Sequence, residues 1–300
     1  MTKSISTLEV VLNGLMKRYK ERVSDVQKII DLMIENQLIK AENEILNDHI
    51  AFRTLGLEHL GIASLEKIFL HYGYQKKDAY EFPQKKLKAF WFAPPLPHFP
   101  RIFISQLMVD QLSEKAQSII NKYTRTIKKD PVDALNLNDA SQVDNFLHSP
   151  LWQTPTLEDY QYLEEESEYA AWVIYNRLFL NHFTISIHQL PKGYNTIEDF
   201  NRFLEINHLT LNNSGGKLKI SHDGLLKQSS TIAGMIKGEF IATDGSSISK
   251  TIPGSYVEFA ERDLLNPNDN TSGKRREGFE ANNANHIFES TYKNQTQRKN

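Results

Sequence analysis

The chain has 300 residues, a formal net charge of -2, 40% apolar and 24% charged residues, values of an ordinary globular protein with enough length for a sizeable core. Near-neutral charge gives no reason to expect nucleic acid or an anionic membrane surface as a partner. There is no cysteine, which excludes disulfides, zinc–thiolate sites, iron–sulfur clusters and a thiol nucleophile, so any metal must be held by histidine and carboxylate groups.

Met1 to Thr7 is polar and carries no signal-peptide pattern. No apolar run approaches a membrane span. The expectation is a cytoplasmic enzyme or binding protein. From about Ser6 to Leu38, Leu8, Val11, Leu12, Leu15 and Tyr19, then Val26, Ile29, Ile30 and Met33, recur at helical spacing. A break is expected near Val23, with Ser24 or Asp25 capping the second helix. A strand follows from Asp48, then a helix from Ser64 to His71, with Gly73 in a capping position. Strands are predicted at Ala79–Phe82, Leu87–Ala93 and Arg101–Met108, the last two parted by Pro94, Pro95, Pro97 and Pro100.

Residues 113–180 read as mainly helical, with candidates at Ser113–Thr124, Asp139–Leu147 and one long helix from Thr156 to Phe179. The strand–helix–strand order then returns. A strand is predicted at His182–His188, a helix at Thr196–Ile206 with Thr196 and Asp199 spaced as a capping box, and strands at Leu209–Leu211, Leu218–Ser221, Leu225–Ile232 and Ser255–Glu261. Asp244-Gly245 is a turn signal. The tail beyond Asn266 is polar, with mobile last residues expected and with Phe279 and Phe288 apolar enough to dock. The class is therefore α+β. A helical lead-in (1–47), a first βαβββ unit (48–112), a helical insertion (113–180), a second βαβββ unit (181–265) and a C-terminal tail (266–300) form one integrated domain.

Both units open on a histidine, in Asp48-His49-Ile50-Ala51-Phe52-Arg53 and in Asn181-His182-Phe183-Thr184-Ile185-Ser186. Strand alternation puts His49 and Arg53 on one face and Ile50 and Phe52 on the other; likewise His182 and Thr184 oppose Phe183 and Ile185. Glu258 sits between Val257 and Phe259 and shares its face with Tyr256 and Arg262. Two imidazoles and a carboxylate make a facial triad that leaves coordination positions open, a set that suits non-haem Fe(II). Ligand type alone leaves Mn, Co, Ni and Zn open. The residue pattern also leaves open hydrogen-bonded structural histidines, and a buried ion pair of Glu258 with Arg53 or Arg262. Arg53 lies about 13 Å beyond His49 along the strand. It suits a carboxylate on a substrate, or else it neutralises Glu258. Gln228 and Ser230 on an intervening strand are candidates for binding substrate oxygens. No GxSxG elbow, P-loop or GxGxxG fingerprint occurs.

Asp48-His49-Ile50-Ala51-Phe52-Arg53-Thr54, Asn181-His182-Phe183-Thr184, Gly224 to Thr231, Gly254 to Arg262 and Phe288-Glu289-Ser290-Thr291-Tyr292 together resemble the 2-oxoadipate dioxygenase/decarboxylase (hydroxyglutarate synthase) family. The resemblance runs from about His49 to Tyr292. It implies a vicinal oxygen chelate fold, in which βαβββ units pair around a metal, with His49, His182 and Glu258 holding Fe(2+) and Arg53 anchoring the substrate carboxylate. It also implies conversion of 2-oxoadipate and O2 to 2-hydroxyglutarate and CO2, within lysine catabolism. Two alternatives keep the same fold: a glyoxalase-type metal-dependent lyase or isomerase, favoured by a fourth protein ligand, and a metal-free protein that binds a small ligand.

Overall fold

The computed structural model describes residues 2–266 and 273–298; the parts of the tail reading at 267–272 and 299–300 lie outside them. Two helices, Thr2–Arg22 and Ser24–Glu35, lead in. The break falls at Val23 as the pattern suggests, but Val23 itself takes the capping position and no side chain caps the second helix. Burial of Val26, Ile29, Ile30 and Met33 holds that helix instead.

The first unit is β1 (Asn47–Leu55), a helix (Ile62–His71), β2 (Gln75–Phe82), β3 (Leu87–Ala93) and β4 (Arg101–Leu107). The second is β5 (His182–Ser186), a helix (Ile197–Ile206), β6 (Lys219–Ile220), β7 (Leu226–Ser230), a hairpin of β8 (Met235–Ile241) and β9 (Ser247–Pro253), and β10 (Tyr256–Arg262). All but the hairpin join one eight-stranded sheet in the order β2-β3-β4-β1-β5-β10-β7-β6. The two halves mirror each other. Each opening strand lies parallel to its unit's last strand, β1 to β4 and β5 to β10, and the openers β1 and β5 meet antiparallel at the centre. That is the paired βαβββ arrangement of an α+β fold.

Apolar residues of alternate parity fill two cores, one on each face of the sheet. Ile50, Phe52, Phe183, Ile185, Val257 and Phe259 pack with the lead-in helices and the two crossover helices. Ala51, Trp91, Phe103 and Leu107 pack on the other side with the inserted helices and with Phe279 and Phe288 of the tail.

Three local expectations are corrected, and a fourth is borne out with strands that were not expected. The long helix from Thr156 is two helices, Leu157–Glu166 and Glu168–Asn176, because Ser167 is extended and its hydroxyl accepts the amide of Ala170. The strand from His182 stops at Ser186, where residues 187–189 turn as a 3-10 helix. Leu209–Leu211 gives only an isolated bridge between Leu211 and Thr231. The turn at Asp244-Gly245 closes a seven-pair hairpin that the alternation did not reveal. Lys237, Glu239, Ser247 and Ser249 leave it little apolar periodicity, and Phe240 reaches its partners Tyr160 and Tyr175 only in three dimensions.

The lead-in helices are part of the central sheet's support. Tyr19 is fully buried, packs edge-on against Phe183 at 6.0 Å and donates its hydroxyl to the carbonyl of Tyr256. Tyr19→Ala is expected to destabilise the protein by about 3–5 kcal/mol, the range for deleting a buried aromatic side chain. Urea unfolding followed by fluorescence measures this, and a loss under about 1 kcal/mol would show that the helices are only loosely attached.

Candidate metal centre and anion pocket

The three central strands carry the candidate ligands on one face. Tyr256 pairs with His182 and Glu258 with Thr184 across β10 and β5, while Ala51 pairs with His182 across β1 and β5. Between Asn47 and Ile50 the β1–β5 register slips, a bulge in β1. The bulge falls where Asp48 precedes His49, and the two side chains meet although strand alternation assigns them to opposite faces.

His49 Nε2 and His182 Nε2 are 3.3 Å apart. Glu258 reaches His49 Nε2 with Oε1 at 3.4 Å and His182 Nε2 with Oε2 at 3.0 Å. These ligand atoms all lie within 4.8 Å of one another, and among the described residues this is the single group of three or more such side chains placed to share an ion. All three residues are at most 5% exposed. Burial alone would raise the Glu258 carboxyl, yet the two imidazoles overcome it and hold the group well below the usual carboxylate range. Burial pushes both histidines down. For His49 the pull of Glu258 and Asp48 wins and its pKa rises, whereas His182 ends lowered.

Each histidine is held by the residue before it. Asp48 Oδ1 lies 2.8 Å from His49 Nδ1, and Asn181 Oδ1 lies 3.1 Å from His182 Nδ1. An acceptor at Nδ1 fixes the proton there and leaves the Nε2 lone pair facing inward, as a metal ligand requires. Asp48 is itself clamped by Arg262, with Nε to Oδ2 at 2.5 Å and Nη2 to Oδ1 at 2.9 Å, and by Arg101 at 3.3 Å. Burial would raise Asp48, but these guanidinium groups keep it ionised. Neither Arg53 nor Arg262 is the partner of Glu258. The Glu258 partner is Gln228, whose Nε2 donates to Oε1 at 2.7 Å, while Asn283 Nδ2 donates to Gln228 Oε1 at 3.0 Å. Both ends of the Gln228 amide are therefore engaged. Ser230 Oγ lies 2.9 Å from Ser290 Oγ.

Arg53 is 1% exposed and, among the described residues, has no carboxylate partner. Its Nη1 donates to Thr291 Oγ1 and its Nη2 to the Phe288 carbonyl, both at 2.8 Å. Tyr169, Trp172 and Phe288 surround it with ring centroids 5.1–5.7 Å from Cζ. Arg53 Nε and the Tyr256 hydroxyl are buried without a hydrogen-bond partner. Burial pushes the Tyr256 hydroxyl well up, so it stays a neutral donor. A buried cation with spare donors nearby and no anion is a candidate site for one.

Over these groups lies a strap formed by residues 279–291, in which Phe279, Ala284, Ile287 and Phe288 join His49, His182, Tyr256 and Glu258 around a cavity of about 20 Å³, room for about one water. Phe279 sets its edge against the His49 ring at 4.7 Å. The sequence reading missed Asp48, Asn181, Tyr256, Asn283 and Thr291. For the first two a signal was present: both histidines follow an Asx residue, so the duplicated dipeptide is ligand plus support. No local pattern announces the others.

The sequence profile of the 2-oxoadipate dioxygenase/decarboxylase family matches residues 11–272. The chain is 41% identical to the rice (Oryza sativa subsp. japonica) protein named 2-oxoadipate dioxygenase/decarboxylase, chloroplastic/amyloplastic, over 98% of this chain and 81% of the relative. It is 42% identical to the chloroplastic protein of that name from Arabidopsis thaliana, over 86% and 71%. The plastid location in both names overturns the cytoplasmic expectation: a near-neutral composition and a polar first turn do not report on compartment. The crystal structure of hydroxyglutarate synthase from Oryza sativa in complex with 2-oxoadipate superposes with a TM-score of 0.86 at 39% identity, covering 98% of this chain and 95% of that one. A Ralstonia eutropha JMP134 structure named for the glyoxalase superfamily shares the fold at 18% identity, with a TM-score of 0.73 over 93% and 86% of the two chains. The chain belongs to the 2-oxoadipate dioxygenase/decarboxylase family.

Proposed function

We propose that this protein is a non-haem iron oxygenase that converts 2-oxoadipate and O2 to 2-hydroxyglutarate and CO2, a step of lysine catabolism. One observation carries the reading: a buried two-histidine, one-carboxylate set shares a sheet face with Arg53, a buried cation that has no carboxylate of its own. The donor set fits the ion, since two Nε2 atoms and a carboxylate converge and both Nδ1 atoms are occupied. His49, His182 and Glu258 would hold Fe(II), which when bound supplies the redox chemistry that oxygen needs.

The remaining roles fall to the chain. Asp48 and Asn181 keep the imidazole protons on Nδ1. Arg53, with the Tyr256 hydroxyl, takes the carboxylate of the diacid far from the 2-oxo group and so fixes which carbon faces the metal. Ser230 stands beside that anion pocket through Ser290. Gln228 serves the substrate indirectly, by steering Glu258. Phe103, Phe279, Ile287 and Phe288 exclude water from the reacting atoms.

A lyase of glyoxalase type would gain support from Gln228 as a fourth ligand. Its amide oxygen is instead turned to Asn283.

Oxygen uptake by anaerobically Fe(II)-loaded protein is expected on adding 2-oxoadipate, with CO2 and 2-hydroxyglutarate formed one for one, and weaker uptake with 2-oxoglutarate. Bound iron with no uptake on any 2-oxo acid would overturn the oxygenase reading. A metal-free binding protein would show no affinity for Fe(II). His182→Ala is expected to abolish metal binding. Arg53→Ala is expected to keep the metal and lose about 2–5 kcal/mol in kcat/KM, the cost of truncating one partner of a buried charge pair; an unchanged KM would remove Arg53 from the substrate site. Asp48→Asn is expected to weaken metal binding about 10–100-fold, as loss of a histidine's outer partner does. It also strands Arg262, at about 3–5 kcal/mol of stability, so chelator competition and urea unfolding are measured on the same sample.

A further inference from the structure

Beside the three candidate ligands Phe103, Phe279, Ala284, Ile287 and Phe288 leave about 20 Å³, room for about one water, so a six-carbon diacid needs these side chains, most of them on the strap, to move. The strap is held by the packing of Phe279 and Phe288 on Trp91, Phe103 and Phe82 and by polar contacts: Lys85 Nζ to Glu289 at 2.7 Å, Ser214 Oγ to Glu289 at 2.7 Å, and Asn212 Nδ2 to the His286 carbonyl and Ser290 Oγ at 2.9 Å. The polar contacts exchange with water at small net cost, so the aromatic packing sets most of the cost of moving it.

One strap residue does more than fasten. Asn283 is fully buried on the helix Ala281–Ile287, and its Nδ2 donates to Gln228 Oε1 at 3.0 Å, with longer approaches to the carbonyls of Lys219 at 3.4 Å and Leu226 at 3.5 Å. A glutamine amide has two nearly isosteric orientations, and its partners choose between them. Asn283 presents a donor, so Gln228 turns its oxygen outward and its NH2 toward Glu258. In the reverse orientation the amide oxygen would face the Glu258 carboxylate and repel it. Glu258, which only accepts, favours the same orientation from the other side, so Asn283 locks the amide against a second partner rather than choosing alone.

We propose that Asn283 is a positioning residue: closure of the strap, through Asn283 and the Gln228 amide, sets the orientation of the Glu258 carboxylate and so couples access to the site with the strength of the metal centre. The inference rests on the metal-centre reading above. Closing the strap tightens the metal, and by linkage the metal tightens the strap by the same factor.

The test uses the full chain and Co(II) alone, with a competing fluorescent chelator. Wild type, Asn283→Leu, Gln228→Leu and the double variant form a cycle. Each single variant is expected to lose about tenfold or more in Co(II) affinity, the scale set by partners of metal ligands. The double variant is expected to lose no more than the larger single. In the reciprocal measurement, saturating Co(II) is expected to slow chymotryptic cleavage within 279–292 in wild type and to leave it unchanged in Asn283→Leu. If Asn283→Leu does not fold, the near-isosteric Asn283→Asp replaces it, which reverses the Gln228 amide against Glu258 and loses at least as much affinity. Co(II) affinity equal to wild type in the Asn283 variants, with or without a lower Tm, would make Asn283 merely structural and overturn the proposal; additive losses in the double variant would do the same. Failure of the wild type to bind Co(II) would remove the metal-centre reading itself, and the proposal with it.

Discussion

Burying Glu258 is the constraint around which the rest of the sheet is arranged. A carboxylate at 1% exposure between Val257 and Phe259 is costly to desolvate, by several kcal/mol even after the protein relaxes. It persists because four groups converge on it: two imidazoles, the Gln228 amide and, from outside, the strap that closes the site. No arginine neutralises it, although two lie on the same face. Arg262 is committed to Asp48, and Arg53 to Thr291 and Phe288. Keeping both guanidinium groups off the glutamate leaves its lone pairs for an ion and leaves Arg53 charge for a ligand.

The mirror symmetry of the sheet explains how so few residues accomplish this. Each unit contributes an Asx-His pair at the start of its opening strand, and the antiparallel contact of β1 with β5 brings the two pairs face to face. The symmetry stops at the supports. Asp48 is charged and needs Arg262 and Arg101, whereas Asn181 is neutral and needs no counterion. Against burial, Glu258 and Asp48 together raise His49, while at His182 burial with the nearby His49 and Arg53 outweighs Glu258 and lowers it. The third candidate ligand has a place in only one unit: Glu258 stands on β10, and the matching strand β4 carries Phe103 on the cavity wall.

Much of this was legible in the chain. Alternation alone placed His49, His182 and Glu258 on polar faces, and it separated Glu258 from Glu261, which lies on the other side and accepts the amide of Ile197. What alternation could not show is that a residue assigned to the opposite face can hold its neighbour's ring: Asp48 meets His49 beside a bulge in β1, and Asn181 meets His182 just where β5 begins. The polar hairpin at 235–253 was illegible because its partners are tertiary, and Ser167 split a helix whose apolar pattern continues across the break. The strap was legible only as a docking segment. Phe279 and Phe288 marked it as such and do reach the core, but its place over the site is set by long-range bonds to Asn212, Ser214 and Lys85 that no local spacing encodes.

Those long-range bonds reach back to the site along two routes. Besides Asn283 and Gln228, the root of the strap hangs on Arg262, whose Nη1 donates to the carbonyls of Gly278 at 2.7 Å and Arg276 at 3.0 Å while its other edge grips Asp48. Gly278 can take that place because its φ of +70° lies in the left-handed region. One route thus ends on the support of His49 and the other on the partner of Glu258. Arg53 completes the arrangement, since Thr291 and the Phe288 carbonyl occupy its donors when the strap is shut. Those two bonds already carry the guanidinium charge on the donor side; a carboxylate at the same donors would add the opposite charge and a bidentate geometry. On the proposed role of Arg53, the diacid and the strap therefore compete for one guanidinium group, which would tie recognition of the substrate to the position of residues 288 and 291.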